Sequence, residues 1–481
     1  MSESRLLAAT PPRVVNVGLD VFAEALRAQG VPVTEVAWRP PAGGDADLAR
    51  LLVADRAVRE RIAAANAETM ARLFRARPRW VGVRPAGEVV PALRDGRLLL
   101  HAGPPIGYAR MCGPHRRAAA WAAVFEGWAP DVDSAVRALQ SGEIRLAPAY
   151  DHAVACPMAA VVSPSMAVHV ARDEASGLAA FSPINEGRGR SLWLGNPDAG
   201  ALDRLRWFHD ELAGTLSAAL DRAGGIDLFG LFAQSLQMGD ELHARCVATT
   251  ALLLRGLAGP LLEAGVPGPV AARAVRLLEA NSLFSLTVTM AACRVAADAA
   301  HGVPWSSVVT GMSRNGVDFA LRVGGLGERW SVAPAVPMDE AVYHSGFGVA
   351  DAAGDIGDSA ILEVVGLGGM ALAAAPTMAA FVGGSVADQL AVTEEMRTIT
   401  LAAHPGFTVP ALGFAGTPVG IDVRLVVETG IVPVIDTGVV HERDPEAGQI
   451  GAGVARAPLE VFRDALVALP GSAAGVQEGP T

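Results

Sequence analysis

Lysine is absent from the 481-residue sequence, so the 39 lysine or arginine positions are all arginines. Without a lysine side chain the protein cannot form a lysine Schiff base with a carbonyl substrate or with pyridoxal phosphate. It also lacks the lysine of a Walker-type phosphate loop. An anionic substrate must therefore be bound by arginine, by backbone N–H groups or by the N-termini of helices.

The sequence also has few cysteines and no net positive charge. The four cysteines, Cys112, Cys156, Cys246 and Cys293, form no C-x-x-C pair, which is typical of reduced thiols in a cytoplasmic protein. The first residues are too polar for a secretory signal, so we expect a cytoplasmic location. The formal net charge of −11 excludes the basic surface that nucleic-acid-binding proteins carry.

One uncharged run, residues 364–387, is long enough to cross a bilayer. It contains five glycines, Pro376 interrupts it, and no cluster of arginines flanks either end. We therefore expect a buried glycine turn and helix inside a protein core, and no membrane association.

The order of apolar patterns predicts a multidomain α+β protein. The chain opens with a Rossmann-like strand–helix–strand pattern, with strands at 13–19 and 31–38, but it has no G-x-G-x-x-G fingerprint for a dinucleotide. The predicted domains are an N-terminal α/β domain (1–100), a mixed α/β segment (101–196), a central helical domain (197–303), a C-terminal α/β domain with glycine-rich loops (304–470) and a disordered tail (471–481).

Several elements are predicted within these domains. Alanine- and arginine-rich sequence predicts one long helix from Ala46 to Arg75, and residues 79–86 predict a third strand. The clearest amphipathic helix covers residues 202–220. Asn315-Gly316, between two apolar runs, predicts a β-hairpin.

The stretch "YDHAVACPM" (150–158) places an acid, a histidine and a cysteine within a few residues. It could be a nucleophile with its base, a metal site or an ordinary loop. Pro157 disfavours the helix that would align His152 with Cys156, and a free cysteine in an apolar run is most often core filling. Cys156 is therefore interpreted as structural, and His152 as a candidate site residue.

The stretch "LQMGDELHARC" (236–246) places Asp240 and His243 three residues apart, with Glu241 beside Asp240. On a helix this spacing favours an acid/base pair or two metal ligands, and equally a solvated face with an ion pair. The chain has no H-E-x-x-H motif, EF-hand loop or paired C-x-x-C, so we predict no metal site and no cofactor.

Two turns combine arginine with amides. In "FSPINEGRGRS" (181–191), Asn185, Glu186 and two arginines lie among glycines, which could seat a carboxylate or phosphate or could be an exposed turn. In "TGMSRNG" (310–316), Arg314 and Asn315 lie at the hairpin tip, where they could converge on an anion although such tips usually face solvent.

The stretch "EVVGLGGMALAAAP" (363–376) is the strongest candidate for an anion cradle. Gly368 and Gly369 allow backbone amides to approach a ligand, and the alanine-rich helix expected after them would present a partially positive N-terminus. The alternative is a tight turn buried for packing. Just upstream, Asp358 and Ser359 could act as caps or as ligands.

Segments spread from Arg13 to Val467 resemble those of the YlbE/YahG/AllG type of proteins. The most distinctive are "LLHAGPPI", "INEGRGR", "MGDELHARC", "VTGMSRNGVDFALRV", "DIGDSAILEVVGLGGMALAAAP" and "GQIGAGVARAP". One branch of this family, the AllG type, is implicated as a subunit of oxamate carbamoyltransferase in anaerobic allantoin degradation, a route of purine catabolism. Proteins of this type act beside an FdrA-like partner similar to succinyl-CoA synthetase α subunits.

The resemblance implies a subunit of a homo- or hetero-oligomeric complex with an FdrA-like partner, in an assembly of two or three kinds of subunit. The complex would interconvert oxalurate plus phosphate with oxamate plus carbamoyl phosphate, or act on a related ureido compound. Alternatives are a non-catalytic scaffold or substrate-binding subunit and a stand-alone amidohydrolase of small ureido compounds.

Roles in that chemistry can be assigned to the candidate residues. Phosphate or substrate would be bound by Arg314, Asn315, Asp358, Ser359 and the amides of Gly368 and Gly369. Asn185 and Glu186 would orient the acceptor, with Glu186 also a candidate acid or base. His152, His243 and Asp240 would move protons. Relatives of this type carry glycine at the position of Cys156, which agrees with a structural role for this cysteine.

Overall fold

The computed structural model describes residues 14–17, 19–36, 38–53 and 55–469, so the tail predicted to be disordered lies outside the described residues. The described residues form a mixed α/β fold with six sheets. The finer layout and the four predicted domain boundaries stay predictions.

The described α-helices range from 4 to 20 residues in length. They are Asp20–Arg27, Ala46–Leu52, Arg56–Arg75, Ala86–Val89, Gly113–Phe125, Val132–Ser141, Ala199–Trp207, Ala213–Ala223, Leu228–Gln237, Val247–Glu263, Gly268–Ala280, Phe284–Ala300, Ile361–Val364, Ala379–Val382, Val386–Met396, Val423–Thr429 and Leu459–Ala468.

The strands pair mainly in the antiparallel sense. The six sheets, in strand order, are Val14–Val17 with Val33–Val36; Ser331–Pro334, Asp318–Val323, Val309–Asn315 and Ile356–Gly357; Val342–Tyr343, Gln449–Arg456 and Val434–Val440; Thr400–Val409 with Ala415–Ile421; Ala179–Pro183, Ala167–Arg172, Arg79–Pro85 and Ile226–Asp227; and Arg145–Pro148, Leu98–His101 and Val161–Val162.

The predicted strand–helix–strand opening is confirmed, because Val14–Val17 and Val33–Val36 pair in parallel around helix Asp20–Arg27. The predicted third strand also forms, as Arg79–Pro85. It pairs antiparallel with Ala167–Arg172, not with the two N-terminal strands. Its partner lies in the segment predicted as residues 101–196.

The single long helix predicted from Ala46 to Arg75 is wrong, because the chain forms two helices there. The first ends at Leu52, and the second begins at Arg56. The side chain of Asp55 accepts a hydrogen bond from the amide of Val58 at 3.0 Å and so caps the second helix. A short polar side chain at this position satisfies a free helical N–H group and starts a new helix.

The amphipathic helix predicted for residues 202–220 is confirmed as Ala199–Trp207 and Ala213–Ala223, joined by the π-helical turn Phe208–Leu212. The hairpin at Asn315-Gly316 is also confirmed, because Val309–Asn315 and Asp318–Val323 pair antiparallel. Its tip is not solvent-facing as such tips usually are, since Arg314 and Asn315 are completely buried.

Helix Phe284–Ala300 is central to the fold, with 15 of its 17 residues buried. It packs on strands Ala167–Arg172 and Ala179–Pro183 and on helix Arg56–Arg75. The guanidinium of Arg294, on this helix, is paired with Asp298 at 2.8 Å and lies over the ring of Tyr150. An apolar helix buried all round in this way forms the core of a large fold.

The described part of the chain contains no single helix with the length and apolarity to cross a membrane. Helices Gly268–Ala280 and Phe284–Ala300 would meet that test together, but they are bent by 84°. Within the uncharged run 364–387, residues 364–375 are buried. The helix expected there is instead a run of 3₁₀ turns, Gly368–Ala374, because Ala371 departs from helical backbone angles.

Candidate active site

Two adjoining cavities occupy the region where the candidate loops meet. The outer cavity has a volume of about 610 Å³ and is lined by residues 187–190, by 280–283, and by His344 and Gln449. The inner cavity, of about 50 Å³, is lined by His243, Ser359 and Thr437 among others. Four residues border both cavities: Trp193, Ala244, Leu283 and Gln449.

Histidine 243 reaches the inner cavity from a loop and not from a helix as its spacing suggested. Helix Leu228–Gln237 ends before it, and Gly239 and Leu242 both have positive φ, at 97° and 74°. Asp240 is directed at the next helix, where one carboxylate oxygen accepts from the amide of Thr249 at 2.8 Å. Asp240 and His243 therefore serve different elements and form no pair.

The imidazole of His243 is instead paired with Glu363. Nδ1 of His243 lies 2.8 Å from Oε1 of Glu363, and the two side chains are 5% and 0% exposed. The same carboxylate oxygen accepts from the amides of Gly369 at 3.0 Å and Asp436 at 3.2 Å. A carboxylate on one ring nitrogen orients the imidazole and leaves the other nitrogen, Nε2, available for proton transfer.

The glycine turn predicted as an anion cradle does hold an anion, but that anion belongs to the protein. The amide of Gly369 donates to Glu363, and the amide of Gly368 donates to the carbonyl of Glu241 at 2.8 Å. A Cβ atom at position 368 would lie 2.2 Å from Oε1 of Glu363. Glycine is therefore required here by the approach of a buried carboxylate.

Two further buried acids surround the His243–Glu363 pair. Glu241 accepts hydrogen bonds from the amides of His243 and Arg245, and burial raises its pKa from 4.5 to about 7. Neither carboxylate oxygen of Asp436 has a hydrogen-bond partner among the described residues. Burial and the neighbouring carboxyls of Glu241 and Glu363 raise the pKa of Asp436 well above its ordinary value.

Ser359 brings a hydroxyl to the wall of the inner cavity. Its oxygen lies 3.5 Å from Nη2 of Arg314, so its own hydrogen is available to an acceptor in the cavity. The guanidinium of Arg314 forms a bidentate pair with Asp355, with distances of 2.8 and 3.1 Å, and donates to the carbonyl of Gly357 at 2.8 Å. Arg314 therefore makes its contacts inside the protein, and the geometry does not support a phosphate-binding role for it.

Asp358 and Asn315 also form internal contacts. Asp358 accepts from the amides of Gly103 at 3.1 Å and Cys156 at 2.9 Å and from the hydroxyl of Ser313, and burial raises its pKa to about 6. Asn315 accepts from the amides of the hairpin turn and donates to the carbonyl of Pro104 at 3.2 Å. These two residues tie the loop at Gly103 and the hairpin to the segments of Cys156 and Asp358, whose neighbours Pro157 and Ser359 line the inner cavity.

Asn185 and Glu186 form the base of the loop that borders the outer cavity. Asn185 accepts from Asn281 at 3.1 Å, and Glu186 accepts from the amides of Leu192 at 2.9 Å and Trp193 at 3.2 Å. Burial raises the pKa of Glu186 from 4.5 to about 7. Its second oxygen and the amide nitrogen of Asn185 have no partner among the described residues.

His152 and Cys156 do not form a nucleophile and base pair in the structure. His152 ends a 3₁₀ turn and is half-buried, outside the lining of both cavities. Cys156 is completely buried, and burial raises the pKa of its thiol well above the ordinary value. A nucleophilic cysteine needs the opposite shift, which supports the structural interpretation of Cys156.

Two residues of the inner site were not singled out from the sequence: Glu363 and Trp193. Glu363 stands alone in an apolar run, and Trp193 is a single aromatic residue beside a glycine-rich turn, so local sequence contains little signal. A lone acid inside a run such as "ILEVVG" or "VPVIDTG" is the one clue available, because burying a charge requires a partner. Within the described residues, no group of three His, Cys, Asp or Glu side chains is arranged to hold a metal ion.

Comparison with known proteins gives consistent matches. Residues 144–359 match the family model for the oxamate carbamoyltransferase subunit AllG. The uncharacterized protein YahG of Escherichia coli (strain K12) is 39% identical over 96% of this chain and 98% of its own length. The oxamate carbamoyltransferase subunit AllG of the same organism is 42% identical over 85% of this chain and 97% of its own.

One solved structure has a similar fold and sequence. It is the crystal structure of a conserved protein of unknown function from Enterococcus faecalis V583, which is 40% identical and superposes with a TM-score of 0.82. The match covers 85% of this chain and 98% of that one.

Proposed function

The chain belongs to the AllG/YahG-type family, and from this premise we propose that it carries the carbamoyl-transfer site of an oxamate carbamoyltransferase-type complex. The complex interconverts oxalurate plus phosphate with oxamate plus carbamoyl phosphate, or acts on a closely related ureido compound. An FdrA-like protein is its proposed partner, in an assembly of two or three kinds of subunit, and the cytoplasm is its proposed location.

The observation that carries this proposal is the His243–Glu363 pair at the inner cavity. In the direction of carbamoyl phosphate formation, a phosphate oxygen attacks the carbamoyl carbon and the bond from that carbon to the oxamate nitrogen breaks. The phosphate hydroxyl loses its proton, and the leaving nitrogen gains one. An oriented imidazole performs this transfer, and His243 is the histidine that lines the inner cavity.

The other residues of the cavity have supporting roles. Glu363 holds Nδ1 of His243 so that Nε2 can exchange the proton. The hydroxyl of Ser359 donates to the carbamoyl oxygen, where negative charge develops during attack. Because Arg314 and the amide of Gly369 are paired inside the chain, we assign phosphate binding to groups outside them, on the FdrA-like partner.

The proposal is tested by co-purifying the chain with the products of its neighbouring genes and measuring carbamoyl phosphate formed from oxalurate and phosphate. The variant His243→Gln should lower kcat by about 10²–10⁴, the usual contribution of a general acid or base. His209→Gln is the matched control, because His209 is a half-buried histidine that lies outside both cavities. An intact complex of the His243→Gln variant with unchanged kcat would identify the chain as a non-catalytic scaffold.

A further inference from the structure

Residues 187–190, here called the arginine strap, cross the edge of the outer cavity between two fixed ends. Gly187 and Gly189 flank Arg188 and have φ values of 80° and 98°. The carbonyl of Gly187 accepts from Nε1 of Trp193 at 3.0 Å, and Arg204 donates to the carbonyls of Glu186 and Arg190 at 3.2 Å. The backbone of the strap is therefore held, and it presents Arg188 at a defined place.

The two arginines of the strap have different surroundings. Arg190 is paired with Glu446 and lies 3.3 Å from a carboxylate oxygen of Asp198. Arg188 is exposed and forms no hydrogen bond or ion pair with any described residue. Arg188 is thus the one strap arginine whose charge is not already neutralised by the protein.

The lining of the outer cavity suits a small anion with polar groups. Its one acid, Glu446, is paired with Arg190, and its other polar residues include neutral amides such as Asn196 and Gln449, together with His344. Gln449 and Trp193 also border the inner cavity, so one ligand can extend from Arg188 toward His243.

A third cavity, of about 540 Å³, also borders the strap and includes Arg188 in its wall. Its other arginines are engaged: Arg204 holds the strap, and Arg273 stacks on Trp207 at 4.1 Å and pairs with Glu211. Its wall includes two acidic side chains, Glu186 and Asp203, against one in the outer cavity, which disfavours an anion there. The outer cavity is the better place for an anion.

We propose that Arg188 binds the carboxylate of the ureido substrate in the outer cavity and so directs the carbamoyl end toward His243. This inference rests on the proposed function and adds to it the residue that recognises the substrate carboxylate and so selects against an uncharged urea. The planar guanidinium suits a carboxylate because it can donate two parallel hydrogen bonds.

The test is calorimetric binding of oxamate and of oxamide, in which an uncharged amide replaces the carboxylate, to the complex with its partner. The wild-type complex should prefer oxamate. Arg188→Gln should weaken oxamate binding by about tenfold or more, the worth of one charged hydrogen bond, and leave oxamide binding unchanged. Arg273→Gln is the control, because Arg273 lines the third cavity and not the outer one.

Three outcomes would overturn the inference in different ways. If the Arg188→Gln variant still prefers oxamate, another group binds the carboxylate and the proposed function is untouched. If Arg273→Gln removes the preference for oxamate over oxamide, the carboxylate lies in the third cavity. If the wild-type complex binds neither oxamate nor oxalurate, the proposed function fails and this inference fails with it.

Discussion

Nδ1 of His243 lies 2.8 Å from Oε1 of Glu363, although the two residues are separated by 120 positions in the sequence. The carboxylate is completely buried and is held by two backbone amides as well as by the imidazole. A charge buried at this depth is retained only when it is well paired. The pair therefore links the stability of the loop around Gly369 to the orientation of the proposed catalytic imidazole.

Replacing Glu363 by glutamine should lower kcat with little change in KM. Glutamine keeps the size of the side chain but loses the negative charge that faces Nδ1 of His243. Removing a partner that orients a functional histidine costs about 10–100-fold in comparable sites. Steady-state kinetics of the complex would check this, with the exposed Glu60→Gln as control. Unchanged kcat in Glu363→Gln would show that the pair does not support catalysis.

Replacing Arg314 by methionine should destabilise the folded chain strongly. The side chains of Arg314 and Asp355 are both completely buried, and removing one partner leaves the other charge without compensation. The expected loss is about 3–5 kcal/mol in the free energy of unfolding. Arg50→Met, in an exposed pair with Asp47, should cost at most about 1 kcal/mol. Urea denaturation measures both, and adding Asp355→Asn to Arg314→Met should restore part of the loss.

Replacing Cys156 by alanine should leave carbamoyl transfer intact. The thiol is buried and its pKa is raised, so it is neither accessible nor ionised. All four cysteines are buried. A thiol reagent should therefore modify the native protein very slowly and all four thiols after denaturation. Rapid labelling of Cys156 in the folded chain, with loss of activity, would contradict the structural role assigned to it.

Replacing Glu186 by glutamine should change how stability depends on pH. Burial raises the folded-state pKa of Glu186 from 4.5 to about 7, so the folded chain retains this proton more tightly than the unfolded chain. Its contribution to stability is therefore present below pH 4.5 and is lost as pH rises toward 7. The stability of Glu186→Gln relative to that of wild type should therefore be higher at pH 7 than at pH 5. Denaturation curves at the two pH values measure this, and an equal difference at both would contradict it.

Several local features of this fold could be predicted from the sequence because they depend on neighbouring residues. The parallel pairing around helix Asp20–Arg27 and the hairpin at Asn315-Gly316 follow from apolar periodicity and turn chemistry, and both are confirmed. The break between Leu52 and Arg56 was missed, because an aspartate cap competes weakly with strong helix formers on either side.

The candidate site was predicted in its segments and less well in its contacts. The loops containing Asn185, His243, Ser359 and Gly368 were selected from the sequence. The structure places the first three at the walls of the two cavities and packs Gly368 against Glu363 and His243 behind the inner one. The partner of His243 was not found, because Glu363 stands alone in an apolar run. The helix expected for Asp240 and His243 was wrong, since the backbone turns at Gly239 and Leu242.

The sequence by itself determined that anions must be bound by arginine or backbone amides, and it placed the glycine-rich polar loops. Tertiary structure alone decided which anion each donor takes: Asp355 for Arg314, Glu363 for the amide of Gly369, and none of the described residues for Arg188. The reason is physical. A buried donor must find an acceptor, and packing between distant segments supplies it, so only a donor left unpaired at a cavity is free for a ligand.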